Sequence, residues 1–192
     1  LQFSRDELKA AVEEAENSGT YVSAHLYTDE AIRRAVECGV RSLEHCNLIR
    51  PETARLAVER GCYAVPTLIT YEILATEGAK WGLGPDSVAK IETVRRGGLE
   101  SLAIMREAGL EMAYGSDLLG EMHGYQSGEF ELRSRVLPGI EVLRSATTVA
   151  AKVCGLEGRA GIIEPGADAD LLVVEGNPLE DWSLLEGQGN RI

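Results

Sequence analysis

The sequence lacks three features that would assign it to common protein classes. It has no apolar run of about 18 residues, so no segment is predicted to cross a bilayer. Basic residues are scarce, because 19 Lys and Arg stand against 31 Asp and Glu for a net charge of −12. That balance argues against a nucleic-acid partner, whose phosphates are bound by clustered Lys and Arg. No glycine-rich phosphate-binding motif follows a predicted strand, which leaves a nucleotide-binding protein as a weak alternative.

Cysteine is present without the spacing of a metal or redox motif. The four cysteines are scattered, and none forms a CxxC pair. We interpret them as reduced, small apolar residues of a cytoplasmic protein. Apolar residues make up 44% of the chain, which is enough to bury a core.

A helix, a glycine and a short strand recur four times along the chain. The repeats are AENSGTYVSAH (15–25), AVECGVRSLEH (35–45), AVERGCYAVPT (57–67) and MREAGLEMAYG (105–115). Glycine tolerates the left-handed conformation just past a helix end, so each glycine is predicted to end a helix. The strands that follow are short and apolar, which is typical of a parallel sheet covered by helices. This rhythm predicts an α/β architecture, either an open doubly wound sheet or a (β/α)8 barrel.

Local patterns lead to three further structural predictions. Ile32, Ala35 and Val36 form the apolar stripe of an amphipathic helix. The segment from residue 70 to about residue 85 is predicted to be a long loop with a functional or lid role. Residues 170–175 are predicted to form a strand of a second, small sheet.

Polar side chains stand where the predicted strands end. His25 and His45 each lie six residues after a helix-ending glycine, and Asp117 ends the last strand. Ligands of parallel α/β folds bind at the carboxyl ends of the strands. Either histidine alone could be a half-buried polar residue that caps a loop, but two in register with an aspartate favour a site for Zn²⁺ or a similar ion. Asp117 could also take a proton from water held there.

Four other polar residues need an interpretation. His123, the last of the three histidines, either contacts a substrate or is an ordinary loop residue. Tyr71 could bring its hydroxyl to the strand ends, or its ring could simply pack. Glu121 and Glu129 are predicted to be solvated charges.

Several motifs resemble the metal-dependent amidohydrolase superfamily, with the closest likeness to its Xaa-Pro dipeptidase-like and imidazolonepropionase-like branch. The motifs are VSAH, SLEHC, AYGSD and ATTVAAKVCGLEGRAGIIEPGADADLLVVEGNPLED. The resemblance implies the C-terminal half of a (β/α)8 TIM-type barrel, with strands five to eight and their helices in residues 1–158. It also implies that residues 159–192 carry a strand segment of a small β-sandwich domain. The family's His-x-His of strand one and Lys of strand four have no counterpart, so we expect this chain to be the C-terminal part of a longer protein.

The same resemblance implies roles for individual residues. His25, His45 and Asp117 would be the ligands of strands five, six and eight for one or two divalent metal ions, expected to be zinc. Asp117 would also be the base that takes the proton of the attacking water and passes it to the leaving amine. Tyr71 and His123 would contact the substrate.

The resemblance implies a hydrolase that cleaves the amide bond of a small substrate, such as a dipeptide or an N-acyl amino acid. Two alternatives remain at this point: a hydrolase of a cyclic amide, as in imidazolonepropionase, and a metal-free barrel descendant that acts as a binding protein. The expected partners are the small amide substrate and the missing N-terminal half of the barrel. We also expect a homo-oligomer, and neither nucleic acid nor a membrane as a partner.

Overall fold

Helices alternate with short parallel strands in the computed structural model, which describes residues 2–187. The strands are β1 Ser23–Thr28, β2 Ser42–Leu48 and β3 Tyr63–Val65. The helices are α1 Arg5–Asn17, α2 Asp29–Glu37, α3 Pro51–Glu59, α4 Leu68–Glu77, α5 Pro85–Ala108, α6 Gly128–Ser134, α7 Gly139–Ala146 and α8 Thr148–Val153. Short 3₁₀ helices cover Gly78–Trp81, Gly120–Tyr125 and Trp182–Leu185. Across residues 2–187, no helix combines the length and the apolar character needed to cross a membrane.

The sheet has the order β1-β2-β3, and neighbouring strands are parallel. The predicted fourth strand joins β3 through one parallel bridge, between Ala64 and Met112. It is shorter than predicted because the chain leaves the sheet at once: the amide of Tyr114 donates to the carbonyl of Ser145 at 2.9 Å. The predicted α/β class is confirmed for the described residues, with the strands in the order of the sequence.

Each predicted glycine junction is present. Gly19, Gly39, Gly61 and Gly109 all have positive φ, and each follows the end of a helix within two residues. The amphipathic stripe of α2 is also confirmed, since Ile32, Ala35 and Val36 are buried.

The segment after β3 is a helix, so the prediction of a long loop there was wrong. Helix α4 occupies most of the segment and continues into the 3₁₀ helix Gly78–Trp81. Its buried residues do not form one stripe; they are Leu68, Ile69, Thr70, Tyr71 and Ile73. A helix that is covered on most of its sides lacks the amphipathic period by which helices are predicted, which explains the error.

The strand predicted at residues 170–175 does not form in the described part of the chain. Leu171, Leu172 and Val173 are 61%, 72% and 84% exposed. A strand needs a neighbour for its backbone hydrogen bonds, and the sheet of residues 2–187 consists of β1, β2 and β3 alone. The assignment of residues 159–192 to a small β-sandwich stays a prediction, and residues 188–192 lie outside the described range.

Two consecutive glycines let α5 approach the carboxyl end of β2. A Cβ atom on Gly97 would lie 2.6 Å from the backbone oxygen of Asn47 and 2.7 Å from Cδ2 of Leu48. A Cβ atom on Gly98 would lie 2.6 Å from Cδ2 of Leu68, the far end of a flexible side chain. The two positions therefore differ in what a larger residue would displace.

We expect Gly97→Ala to destabilise the complete protein by about 1–3 kcal/mol, because the new methyl group meets immobile backbone. Alanine favours a helix over glycine by about 1 kcal/mol, so the clash reverses the sign that helix propensity predicts. Gly98→Ala is the matched comparison, and its effect should be smaller because Leu68 can change rotamer. Chemical denaturation of the three proteins measures both differences. A Gly97→Ala variant as stable as the parent protein would contradict the close contact.

Candidate functional site

The three residues predicted to bind a metal lie together at the carboxyl ends of the strands. Nδ1 of His25 and Nε2 of His45 are 2.8 Å apart. The two rings are stacked, with centroids 5.0 Å apart and an interplanar angle of 17°. Oδ2 of Asp117 lies 4.0 Å from Nε2 of His45. Two imidazoles and one carboxylate therefore converge on one small volume.

An irregular backbone places His45 beside His25. In the strand register His25 is paired with Glu44, so regular alternation would put His45 on the opposite face of the sheet. His45 and Cys46 instead have φ values of 73° and 54°, and the register shifts after Leu26. The left-handed backbone turns the His45 imidazole towards His25.

Asp117 also has a left-handed backbone, with φ of 49°. Among the described residues, the non-glycine residues with positive φ are His45, Cys46 and Asp117. Such conformations cost about 1–3 kcal/mol each and concentrate at functional sites. Two of the three predicted ligands thus adopt a conformation that the rest of the fold must stabilise.

His45 is buried and partnered on its other ring nitrogen. Its Nδ1 lies 2.8 Å from Oγ1 of Thr67, and the ring of Tyr27 stacks on it with centroids 4.8 Å apart. Burial lowers the pKa of His45; the nearby His25 acts in the same direction, while Asp117 opposes the shift. The imidazole is therefore neutral at pH 7. For Nε2 to offer its lone pair to an ion on the side of His25 and Asp117, Nδ1 must carry the proton, and it then donates a hydrogen bond to the Thr67 hydroxyl.

Tyr71 brings a buried hydroxyl to the cluster formed by His25, His45 and Asp117. Its ring meets the His45 ring edge-on, with centroids 6.0 Å apart. Within the described residues the hydroxyl has no hydrogen-bond partner of normal geometry. Burial raises the pKa of Tyr71, and the neighbouring Tyr27 adds to the shift, so the group stays protonated and is a donor. The Tyr27 and Thr67 hydroxyls are its polar neighbours, but a buried donor without a well-formed hydrogen bond is costly, so this hydroxyl is available to a ligand.

His123 is placed differently from the other two histidines. It lies in the 3₁₀ helix Gly120–Tyr125 and is exposed. Among the contacts of residues 2–187, no hydrogen bond or ring contact joins its side chain to His25, His45 or Asp117. Its role in contacting a substrate stays a prediction.

The prediction that Glu129 is a solvated charge was wrong. Glu129 and Arg133 are both 0% exposed and form an ion pair of 2.8 Å one helical turn apart. Oε2 of Glu129 also accepts a hydrogen bond of 2.7 Å from the amide of Ile69. Burial raises the pKa of Glu129, and Arg133 and this amide oppose the shift. A buried carboxylate is tolerated here because a cation and a backbone donor both satisfy it.

The donor chemistry of the cluster fits a divalent metal ion such as zinc. Neutral imidazole nitrogens and a carboxylate oxygen are ordinary zinc ligands. Two nitrogens that bind one tetrahedral zinc ion at about 2.0–2.1 Å lie about 3.3 Å apart, so the 2.8 Å between the imidazoles must open by about half an ångström. As the side chains stand, no group of three or more His, Cys, Asp or Glu among the described residues is arranged to hold a metal ion.

Comparison with known proteins assigns the chain to a family. The model of the amidohydrolase family matches residues 1–192. The chain belongs to the amidohydrolase family. The resemblance found in the sequence motifs is thereby confirmed, and the cluster of His25, His45 and Asp117 lies in a member of that family.

Several relatives of this amidohydrolase family member have names that describe an activity. Ochratoxinase of Aspergillus niger is 32% identical over 187 residues, which is 96% of this chain and 38% of that protein. A prolidase solved in complex with N-methylphosphonate-L-proline is 54% identical, with a TM-score of 0.96 over 99% of this chain and 47% of the other. A Xaa-Pro dipeptidase solved with bound methionine in its active site is 32% identical, with a TM-score of 0.87 over 96% of this chain and 46% of the other. The chain therefore spans less than half the length of each of these three proteins.

The sequence reasoning gave no role at the site to four residues that the fold places at or next to the cluster, although Thr67 was among the residues predicted at the strand ends. They are Tyr27, Thr67, Glu129 and Arg133. Thr67 carried a signal, since it stands six residues after Gly61, in the position that His25 and His45 occupy in their repeats. The spacing of four between Glu129 and Arg133 is common on exposed helices and gave no sign of burial.

Proposed function

We propose that the complete protein is a metal-dependent hydrolase that cleaves the amide bond of a small substrate, with Xaa-Pro dipeptides as the first class to test. The observation that carries the proposal is the convergence of His25, His45 and Asp117 at the ends of the strands. The prolidase and Xaa-Pro dipeptidase among the similar structures support the choice of substrate class. N-acyl amino acids are the second class within the same proposal.

In this proposal metal binding, proton transfer and substrate contact are carried out by several side chains at and beyond the strand ends. His25, His45 and Asp117 would hold the metal ion, which supplies Lewis-acid chemistry by polarising the scissile carbonyl and making water more acidic. The Asp117 carboxylate takes a proton from the attacking water and passes it to the departing amine. The Tyr71 hydroxyl donates a hydrogen bond to the substrate or to the oxyanion that develops on the carbonyl oxygen. His123 would contact the substrate from the 3₁₀ helix Gly120–Tyr125, beyond Asp117.

The architecture in this proposal is the C-terminal half of a (β/α)8 barrel. An unpaired edge of β1 supports it, because β1 has a hydrogen-bonded neighbour only on the β2 side among the described residues. An N-terminal half of the same barrel would supply the strand that pairs with this edge. A zinc ion, a cytoplasmic location and a homo-oligomer belong to the same proposal.

The proposal is tested by metal removal and restoration in the complete protein. We expect release of proline from Xaa-Pro dipeptides to fall at least about 10²-fold after chelation, because the metal supplies the electrophile and the acidic water. Added Zn²⁺ or another divalent ion should restore the rate.

Assays of the complete protein with dipeptides, N-acyl amino acids and cyclic amides also separate the proposed function from its two alternatives. Full activity after verified metal removal would contradict the proposed mechanism. Opening of cyclic amides without cleavage of dipeptides or N-acyl amino acids would favour the imidazolonepropionase-like alternative. A protein that hydrolyses none of these and binds no metal would be a binding protein on the same fold.

A further inference from the structure

The N-terminus of helix α4 lies beside His45, and the threonine at its N-cap position does not cap it. Thr67 occupies the N-cap position of α4, and its side chain makes no capping hydrogen bond. A threonine at this position ordinarily accepts a hydrogen bond from the second or third amide of the helix, here Ile69 or Thr70. The Thr67 hydroxyl instead lies 2.8 Å from Nδ1 of His45. A hydroxyl oxygen has two lone pairs, so the two partners compete through its orientation: as Thr67 stands, its oxygen meets the imidazole and makes no capping hydrogen bond.

A carboxylate from another helix takes the place of the missing cap. Oε2 of Glu129, on α6, accepts a hydrogen bond of 2.7 Å from the amide of Ile69. This amide is one that the Thr67 hydroxyl would otherwise satisfy. The negative charge also lies at the positive end of the α4 dipole, which is the favourable end for a carboxylate. Glu129 therefore leaves Thr67 free to hold His45.

Arg133 fixes the position of that carboxylate. Its Nε donates to Oε1 of Glu129 at 2.8 Å, and its Nη2 donates to the carbonyl of Pro66, the residue before Thr67. Its guanidinium also lies 5.2 Å from the centre of the Tyr114 ring, on the segment that leads to Asp117. The buried pair thus contacts the segment that carries Thr67 and the segment that leads to Asp117.

We propose that Glu129 is a positioning residue that caps α4 in place of Thr67, so that the Thr67 hydroxyl holds His45 in the orientation needed to bind metal. Arg133 supports Glu129 in this role. The role in metal binding rests on the proposed function, whereas the competition for the Thr67 hydroxyl does not. Tyr71 lies in the second turn of the same helix, so its position depends on the same cap.

The central test is a crystal structure of the complete protein carrying Glu129→Ala. Without the carboxylate, the Thr67 hydroxyl is expected to turn to the amide of Ile69 or Thr70 and to leave Nδ1 of His45. The zinc dissociation constant, measured by competition with a chelator, should rise about 10-fold or more, because loss of a residue that orients a metal ligand typically costs 10–100-fold in affinity. Glu129→Gln keeps an oxygen that can accept from Ile69, but it removes the charge that pairs with the buried Arg133 and turns an NH2 group towards its Nε, so we expect lower stability together with a smaller rise in the dissociation constant than in Glu129→Ala.

A double-mutant cycle with Thr67→Val separates positioning from general stability. If Glu129 acts through Thr67, Glu129→Ala should not weaken zinc binding further in the Thr67→Val background. Val142→Ala is the matched control, because Val142 is fully buried on α7 and contributes no side chain to the cluster. It should lower the melting temperature and leave the zinc dissociation constant unchanged.

Three outcomes would overturn the inference. The first is an unchanged contact between Thr67 and His45 in the Glu129→Ala structure. The second is an equal loss of zinc affinity in Glu129→Gln and Glu129→Ala. The third is a double mutant whose loss of zinc affinity is the product of the losses in Glu129→Ala and Thr67→Val. If Glu129→Ala does not fold, Glu129→Asp serves instead, because it keeps the charge beside Arg133 but is one methylene too short to reach Ile69 as well. A failure of the proposed function has a different signature: the parent protein binds no zinc, while the crystal structures still report where the Thr67 hydroxyl goes.

Discussion

Replacing Asp117 with asparagine is expected to lower kcat of the complete protein by about 10²–10⁴-fold, the usual contribution of a general base. This range corresponds to about 2.7–5.5 kcal/mol of barrier height. Asparagine keeps the size of the side chain and one oxygen that can bind a metal, but it cannot take a proton from water. The left-handed backbone at this position is tolerated by asparagine as well as by aspartate, so the substitution adds no backbone strain. Steady-state kinetics on a hydrolysed Xaa-Pro dipeptide measures the effect.

Metal content must be measured in the same sample, since loss of the ion would also lower kcat. Glu121→Gln is the matched control because Glu121 is an exposed acid four residues beyond Asp117. Its kcat should stay within about two-fold of the parent protein, as expected for an exposed charge away from the reacting atoms. An Asp117→Asn protein that retains its metal and its kcat would show that Asp117 is not the base.

The second large effect is expected from the two histidines. His45→Ala and His25→Ala should each lower zinc affinity by more than about 10²-fold, because each removes a ligand rather than a residue that merely orients one. The loss should be larger for His45, whose ring is held from three sides by Thr67, Tyr27 and Tyr71. Elemental analysis after dialysis and chelator competition both measure the change.

His123→Ala is the control for removal of an imidazole from the same protein. His123 is exposed, so the zinc content of the His123→Ala protein should match that of the parent protein. Unchanged zinc in both His25→Ala and His45→Ala would refute the metal site. A loss in only one of them would show that the cluster as described is not a shared site.

Much of the fold was predictable because its signals are local. A glycine ends each helix before a strand because the left-handed position after a helix selects glycine, and all four predicted positions have positive φ. The apolar stripe of α2 follows from the helical period. Helix α4 escaped prediction because it is covered on most sides, and the strand at residues 170–175 is absent because strand pairing depends on a neighbour from elsewhere in a chain.

The sequence by itself determined the α/β class, the helix ends and the three donors at the strand ends. Those features depend on residue type and on spacings of a few residues, which short-range physics controls. Only the tertiary structure decided that His45 turns towards His25 through a left-handed backbone, and that Thr67 binds an imidazole instead of its own helix. It also decided that Glu129, 60 residues beyond Ile69, caps that helix. These are competitions between distant groups for one hydrogen bond or one volume, and their outcome depends on packing that no local pattern encodes.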